Sequence, residues 1–212
     1  MSASRPRTLG RLVLATRNGH KLREFERIAA GRVAIDPLPD GVALPPEDGE
    51  TFAENALGKA RTAAAATGCV AIADDSGIEA AALGGLPGVR SARFAGPEAT
   101  DAENLAKLLR EAPAGSPLAY VCAIAYVDPA TGEERVFEGR CAGTVAAAPA
   151  GSGGFGYDPA FLPVDELPDG APGRTMAELT DAEKDAISHR GRAMRALLAW
   201  LEEAQASRAS GG

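Results

Sequence analysis

Aromatic residues are scarce in this chain, at 5% of 212 positions. Each Phe, Tyr or Trp in a polar stretch therefore calls for an explanation. Cysteine is scarcer still: Cys69, Cys122 and Cys141 form an odd, widely spaced set. That spacing argues against a disulfide framework and against a zinc cluster. Cys122 lies in the apolar run YVCAIAYV and reads as a core residue. Long hydrophobic runs are missing as well. None approaches the ~18 residues needed to span a bilayer, so no membrane partner is expected. The opening MSASRPRTLG lacks the apolar core of a secretory signal, and a cytoplasmic location is the expectation. Positive charge is in deficit, with 22 Lys and Arg against 29 Asp and Glu and a net charge of -7. Polymeric nucleic acid is a poor partner for such a chain, because phosphate neutralisation dominates that affinity. A small anion is still a reasonable ligand where a few cations are focused at one site.

The rest of the composition is that of a globular protein, 45% hydrophobic and 24% charged. Much of the apolar share is Ala, so large core side chains are few. The length fits one domain, expected over 8–206, with 1–7 and 207–212 as flexible termini.

Residues 10–15 (GRLVLA) read as a short buried strand, followed by the polar turn TRNGHK and a helix from about Lys21 to Ala30. Residues 36–50 are broken by Pro and Gly and read as a loop with at most a brief strand. Thr51 and Glu54 form a capping-box pair, and Gly68 stops the helix they open. Residues 69–73 (CVAIA) read as a second buried strand ending at Asp74-Asp75-Ser76-Gly77, with 77–83 extended beyond. After the Gly/Pro loop GGLPGVRSARFAG, a capped amphipathic helix is expected over 100–111, with Leu105, Leu108 and Leu109 inward. Leu118–Val127 and Arg135–Ala142 read as a hairpin turning at 128–132, with a further strand at Thr144–Ala148. The glycine loop GSGGFGYDP and a short extended piece at 160–163 follow. The last third is helical, opened by a second capping box at Thr180 and Glu183 and ending in a helix over Ala193–Ala204. Early alternation of strand and helix with a late hairpin implies an α/β fold on a mixed sheet.

Five stretches carry chemistry-bearing residues, and each has a plain structural alternative. Thr16-Arg17-Asn18-Gly19-His20-Lys21 joins strand to helix. It is either a phosphate loop, using helix-start amides and Lys21, or a helix cap with a solvated lysine. It lacks P-loop spacing. Asp74 and Asp75 end an apolar strand, where ligands gather in α/β sheets. They suit Mg²⁺ and water activation, or else an Asx turn closed by Gly77. Glu47 is a third acid in the loop before the second helix, or a surface residue. Lys59 lies one helical turn past Asn55, so the two share a face. Its alternative is a surface lysine whose stem lies along apolar neighbours. Phe155, flanked by glycines before Gly156, Tyr157 and Asp158, suits stacking on a base, or folds back onto the sheet. Lys184 through Ser188, His189 and Arg190 supplies donors for a keto-bearing base, or is a polar break between helices. A nucleophilic triad is poorly supported, since Ser76 has no GxSxG context.

Taken together and in order, LATRNGHKLREF, TFAENALGKA, ADDSGIEAAALGGLPGVRSARFAG, GGFGYDPAF and AELTDAEKDAISHRGRAM resemble the inosine/xanthosine triphosphate pyrophosphatase family. These enzymes act on non-canonical purine nucleoside triphosphates. The resemblance covers the chain from about Leu12 to Trp200. It implies an elongated mixed β-sheet flanked by helices, with two lobes around a central nucleotide cleft. It implies Mg²⁺-dependent hydrolysis of ITP, dITP and XTP to monophosphate and pyrophosphate by a homodimer. By the same resemblance, Thr16, Arg17, Asn18, Gly19, His20 and Lys21 match the triphosphate loop. Asp75 matches the proton acceptor and a metal ligand, Ser76 a substrate contact, and Glu47 a metal ligand. Asp74 shapes the acidic metal pocket. Phe155, Gly156, Tyr157 and Asp158 match the base loop, and Lys184, His189 and Arg190 further substrate contacts. Lys59 and Arg93 are the phosphate-side cations. Phe94 stands where the family more often has Tyr, and Ile78 where it has Leu. Neither change removes a group the reaction needs. The rival readings are a related Maf-type pyrophosphatase with other base preferences, a non-catalytic nucleotide sensor, and a partner-binding domain.

Overall fold

The computed structural model describes residues 9–164 and 173–210. Six strands form one mixed sheet. They are β1 (Arg11–Leu14), β2 (Ala34–Pro37), β3 (Ala71–Ala80), β4 (Pro117–Asp128), β5 (Glu133–Val145) and β6 (Phe161–Pro163), in the order β2-β1-β3-β4-β5-β6. β1 pairs parallel with both β2 and β3, and β5 pairs antiparallel with β6. β4 and β5 are neighbours joined only by residues 129–132, a connection that antiparallel strands allow and parallel ones do not. The helices are α1 (Gly19–Ala29), α2 (Phe52–Thr67), α3 (Asp101–Glu111), α4 (Asp181–Ile187) and α5 (His189–Ser210). The α/β fold on a mixed sheet is therefore as the sequence implies. Among the described residues, no helix is long and apolar enough to cross a membrane.

The chain divides into two compact units. The first holds Met1–Asp75, Ala123–Phe137 and Ala193–Gly212; the second holds Ser76–Cys122 and Glu138–Arg192. Each unit has its own core. In the first, α2 turns Ala56, Ala60, Ala63 and Ala64 inward at helical spacing, in a cluster with Val13, Ala15, Ala71 and Ala73. Small side chains on both elements let helix and strands approach closely, which is how an alanine-rich chain fills a core with few large residues. The core cluster of the second unit includes Ile78, Leu108, Tyr120, Phe161 and Met176.

Local signals account for most element ends. Thr51, Thr100 and Thr180 each close a capping box with the glutamate three residues on, and Gly68 ends α2 in the left-handed conformation at φ 66°. Three boundaries differ from the sequence reading. β3 does not end at Asp74 but runs on to Ala80, so the acid pair sits in mid-strand. Acids are poor strand formers; here long-range partners hold both. β5 extends to Val145 and takes in the start of the separate strand expected at 144–148. α5 begins at His189, so the Ser-His-Arg stretch is the helix break at Ser188 and the first turn beyond it. The same helix continues to Ser210. Of the ends expected to be flexible, 1–7 and 211–212 lie outside the described residues, whereas 207–210, expected to be flexible with them, belong to α5.

Candidate active site

In the first unit, the buried acids of β3 meet residues from α1, α2 and the loop before α2. Successive strand side chains alternate in direction, so neighbouring acids meet different partners. Lys21, from the first turns of α1, places Nζ 3.0 Å from Asp74 Oδ2. Asn55 of α2 donates from Nδ2 to Asp75 Oδ2 across 2.8 Å. One turn further along α2, Lys59 donates from Nζ to the Asp74 carbonyl across 2.7 Å and pairs with Glu47 Oε1. The shared face of Asn55 and Lys59 thus faces the acid pair. Asn55 also accepts at Oδ1 from the Gly49 amide across 2.8 Å, which ties the Glu47 loop to the same helix. A Cβ at Gly49 would stand 2.7 Å from that oxygen, so the close approach requires glycine.

Asp74, Asp75 and Lys59 are all at least 94% buried by the exposures of 1%, 5% and 6%. Charges at that depth need partners. Burial pulls the Lys59 ammonium down, but the charges of Asp74, Glu47 and Asp75 outweigh it, and the net direction is up. Burial pushes the Asp75 carboxyl up, and the charge of Glu47 adds to that against the opposing pull of Lys59, Asn55 and Lys21. Asp75 therefore feels the charge of Glu47.

The strand-to-helix turn itself is a well-made cap. Asn18 Oδ1 accepts from the amides of His20 at 2.9 Å and Lys21 at 3.3 Å, and the Asn18 amide donates to Thr16 Oγ1 at 3.1 Å. Arg17 spends its guanidinium on the carbonyls of Leu38, Pro39 and Val42. His20 Nδ1 lies 3.1 Å from Arg23 Nη2. Lys21 is thus a member of the loop that the structure brings to Asp74.

The second unit gathers the other set. Asp158, 3% exposed, accepts at Oδ2 from Lys184 Nζ across 2.8 Å and from the Phe155 amide across 3.0 Å. Lys184 Nζ stands 5.2 Å, and the Arg190 guanidinium 5.9 Å, from the centre of the Phe155 ring. Arg190 also donates from Nη2 to Ser76 Oγ across 3.0 Å. Gly156 donates its amide to Asp101 Oδ2, and Tyr157 donates its hydroxyl to the Ser91 carbonyl across 2.7 Å. Tyr157 is thus a core anchor of the loop, buried beside Phe161 and Met176 in the same cluster. Arg93 ends the 3₁₀ segment Gly88–Arg93 and is half-buried.

Sequence reasoning named Asn55 only as the companion of Lys59, and missed Tyr120 and Asp101. A signal for Tyr120 was present. A tyrosine inside an apolar strand must find a partner for its hydroxyl, and here that partner is Asp158, 3.0 Å away.

Hard-cation chemistry fits the first unit's donor set. Lys21 pairs with Asp74 and Lys59 with Glu47, Asn55 holds Asp75, and all three acids are oxygen donors. Among the described residues, no three His, Cys, Asp or Glu side chains converge as a metal cage. An ion of the Mg²⁺ type does not need one, since it takes one or two carboxylates and completes its shell with water and phosphate.

Comparison with known proteins agrees with this architecture. The Ham1 family model matches residues 12–200. A dITP/XTP pyrophosphatase of Frankia alni is 50% identical, covering 91% of this chain and 98% of its own. One from Mycolicibacterium paratuberculosis is 49% identical, covering 90% and 95%. Among solved structures, a HAM1 protein from Coxiella burnetii superposes with a TM-score of 0.78 at 40% identity, covering 91% of this chain and 98% of that one. With a family model matched over most of its length and relatives this similar, the chain belongs to the Ham1 family.

Proposed function

We propose that this protein hydrolyses non-canonical purine nucleoside triphosphates, ITP, dITP and XTP, to the monophosphate and pyrophosphate, and so clears them from the nucleotide pool. The names of its relatives support the reaction and the substrate class. The observation that carries the site assignment is the buried Asp75, held at one oxygen by Asn55 among cations and acids.

In this reading the triphosphate lies at the first unit's cluster. Lys21 and Lys59 offset its charge, and Thr16, Arg17, Asn18, Gly19 and His20 form the loop beside it. Asp75 orients a water and takes its proton as the water oxygen attacks the α-phosphorus. The bond from that phosphorus to the bridging oxygen breaks, and its electron pair leaves with pyrophosphate. Positioning and electrostatics supply most of the acceleration, as is usual for phosphoryl chemistry. Glu47 and Asp75, beside Asp74, would hold a Mg²⁺ ion, which when bound neutralises phosphate oxygens. The second unit takes the purine. Phe155 stacks on it, Gly156, Tyr157 and Asp158 shape its loop, and Ser188, His189 and Arg190 meet its keto edge, with Lys184 and Ser76 as further substrate contacts, while Arg93 joins Lys21 and Lys59 in offsetting the triphosphate charge. A 6-keto purine presents acceptors to these donors, whereas adenine presents an amine and leaves them unpaired. Mg²⁺ as the ion, a homodimer as the working form and a cytoplasmic location complete the proposal; the five-motif resemblance supports them.

The test is pyrophosphate release from ITP, dITP, XTP, GTP, ATP and TTP, with Mg²⁺ and with chelator, for the wild type and Asp75→Asn. Metal-dependent release mainly from the first three, abolished in the variant, is expected. Release from pyrimidine nucleotides instead moves the protein to a Maf-type activity. Binding without release makes it a sensor, and full turnover by Asp75→Asn removes that residue from the chemistry.

A further inference from the structure

Tyr120 sits in β4 and is only 6% exposed. Its ring is sandwiched in the second unit. The His189 ring stacks on it with centroids 4.7 Å apart and planes 15° from parallel, and the Phe161 ring stacks at 4.4 Å and 25°. Its hydroxyl donates to Asp158 Oδ1 across 3.0 Å. The other oxygen of that carboxylate holds the Phe155 amide and the Lys184 ammonium. One side chain therefore touches the imidazole directly and reaches the stacking ring and the lysine through a single carboxylate. Burial and the Asp158 charge both push the phenol well above its ordinary range, so it remains a donor at any working pH.

We propose that Tyr120 is the positioning residue of the purine site: its ring sets the plane of His189, and its hydroxyl fixes the Asp158 carboxylate that aims Phe155 and Lys184. This rests on the assignment of the purine to the second unit. Tyr120 meets no substrate itself. It acts on three groups that do, and it acts by rigid contacts: a stacked imidazole loses one rotational freedom, and a carboxylate with fixed donors at both oxygens cannot rotate. A site that must accept hypoxanthine and reject adenine needs its donors held in place, because a lysine free to swing would serve either base.

Tyr120→Phe keeps the stack and deletes only the hydroxyl. It should raise the Kd for inosine monophosphate and the KM for ITP about tenfold, as expected for loss of a hydrogen bond to a charged acceptor, with kcat within about twofold. Tyr120→Leu deletes the ring contact as well and should weaken IMP a further threefold or so. Inhibition by pyrophosphate, which needs only the first unit's cations, should keep its wild-type Ki in both variants. A general structural defect would move that Ki together with IMP binding, and such parallel shifts overturn the proposal. So does a Tyr120→Phe protein with wild-type IMP affinity. If the wild type itself binds pyrophosphate but not IMP, the purine assignment fails, and this proposal fails with it. Wild-type IMP binding that the variants share sinks the proposal alone.

Discussion

Asn55 donates to Asp75 Oδ2 across 2.8 Å while accepting the Gly49 amide across 2.8 Å at its other amide end. A single buried side chain thus fixes the orientation of the proposed base and the position of the loop that carries Glu47. Asn55→Ala removes both bonds. The Asp75 carboxylate then has one fewer restraint, and misplacement of a catalytic group on the order of 1 Å costs up to about a hundredfold in rate. The expected outcome is a kcat lowered by about ten- to a hundredfold with KM for ITP little changed. Steady-state kinetics check it. A variant that melts earlier but keeps its kcat would show that Asn55 serves stability only.

Lys59 is the second consequence of the same cluster. Its ammonium is buried against Glu47 and the Asp74 carbonyl, with the charge of Asp75 also acting on it. Lys59→Met removes the cation that pairs with Glu47 and whose charge acts on Asp75. Breaking one partner of a buried pair costs about 3 kcal/mol, and urea unfolding should show a loss of that order. Replacing Glu47 by Gln in the same protein should recover part of it, because the negative charge that Lys59 offset goes too. A single variant as stable as the wild type would mean that the acids are held by other means.

These contacts explain which features were legible in the sequence. Thr51 with Glu54, Thr100 with Glu103 and Thr180 with Glu183 are local pairs three residues apart, so the capping boxes can be read directly. The alternation of apolar strand and amphipathic helix is equally local. What escapes is long-range compensation. Asp74 and Asp75 look like a strand end because acids break strands, and nothing nearby in the chain shows that Lys21 and Asn55 will carry them through to Ala80. Arg17 is placed in the triphosphate loop by resemblance, and nothing local shows that its guanidinium will also meet the carbonyls of Leu38, Pro39 and Val42, over twenty positions away. Tyr120 reads as core because it is core. Its link to Asp158 joins residues 38 positions apart.

Glu183 gives a prediction in pH. Its carboxyl is drawn down to about 2, first by Arg174, then by the Thr180 amide and hydroxyl, from an ordinary value of 4.5. A folded-state value below the unfolded one stabilises the fold above the unfolded pKa and loses that contribution as pH falls through the folded pKa. The difference in Tm between the wild type and Glu183→Gln should therefore be full above about pH 5 and shrink steadily as the pH falls from there toward 2. Thermal melts at half-unit steps check it. A difference that stays constant over that range would mean that the glutamate acts through its cap geometry and not through its charge.

Gly154 and Gly156 separate steric contact from backbone strain in the base loop. Both have positive φ, 68° and 62°. A Cβ at Gly154 would come within 2.0 Å of Asp158 Oδ2 and 3.1 Å of Lys184 Nζ, whereas one at Gly156 meets nothing within 4 Å. Gly156→Ala therefore carries only the left-handed strain, about 1 kcal/mol. Gly154→Ala carries that strain and also forces the Asp158 carboxylate off the Phe155 amide and Lys184. It should cost at least about 2 kcal/mol and weaken IMP binding, while pyrophosphate inhibition is kept. Chemical denaturation and calorimetry on the two variants side by side decide it. Equal stability losses at the two positions would mean that the carboxylate yields freely, and that its bonds to Phe155 and Lys184 do not hold the loop.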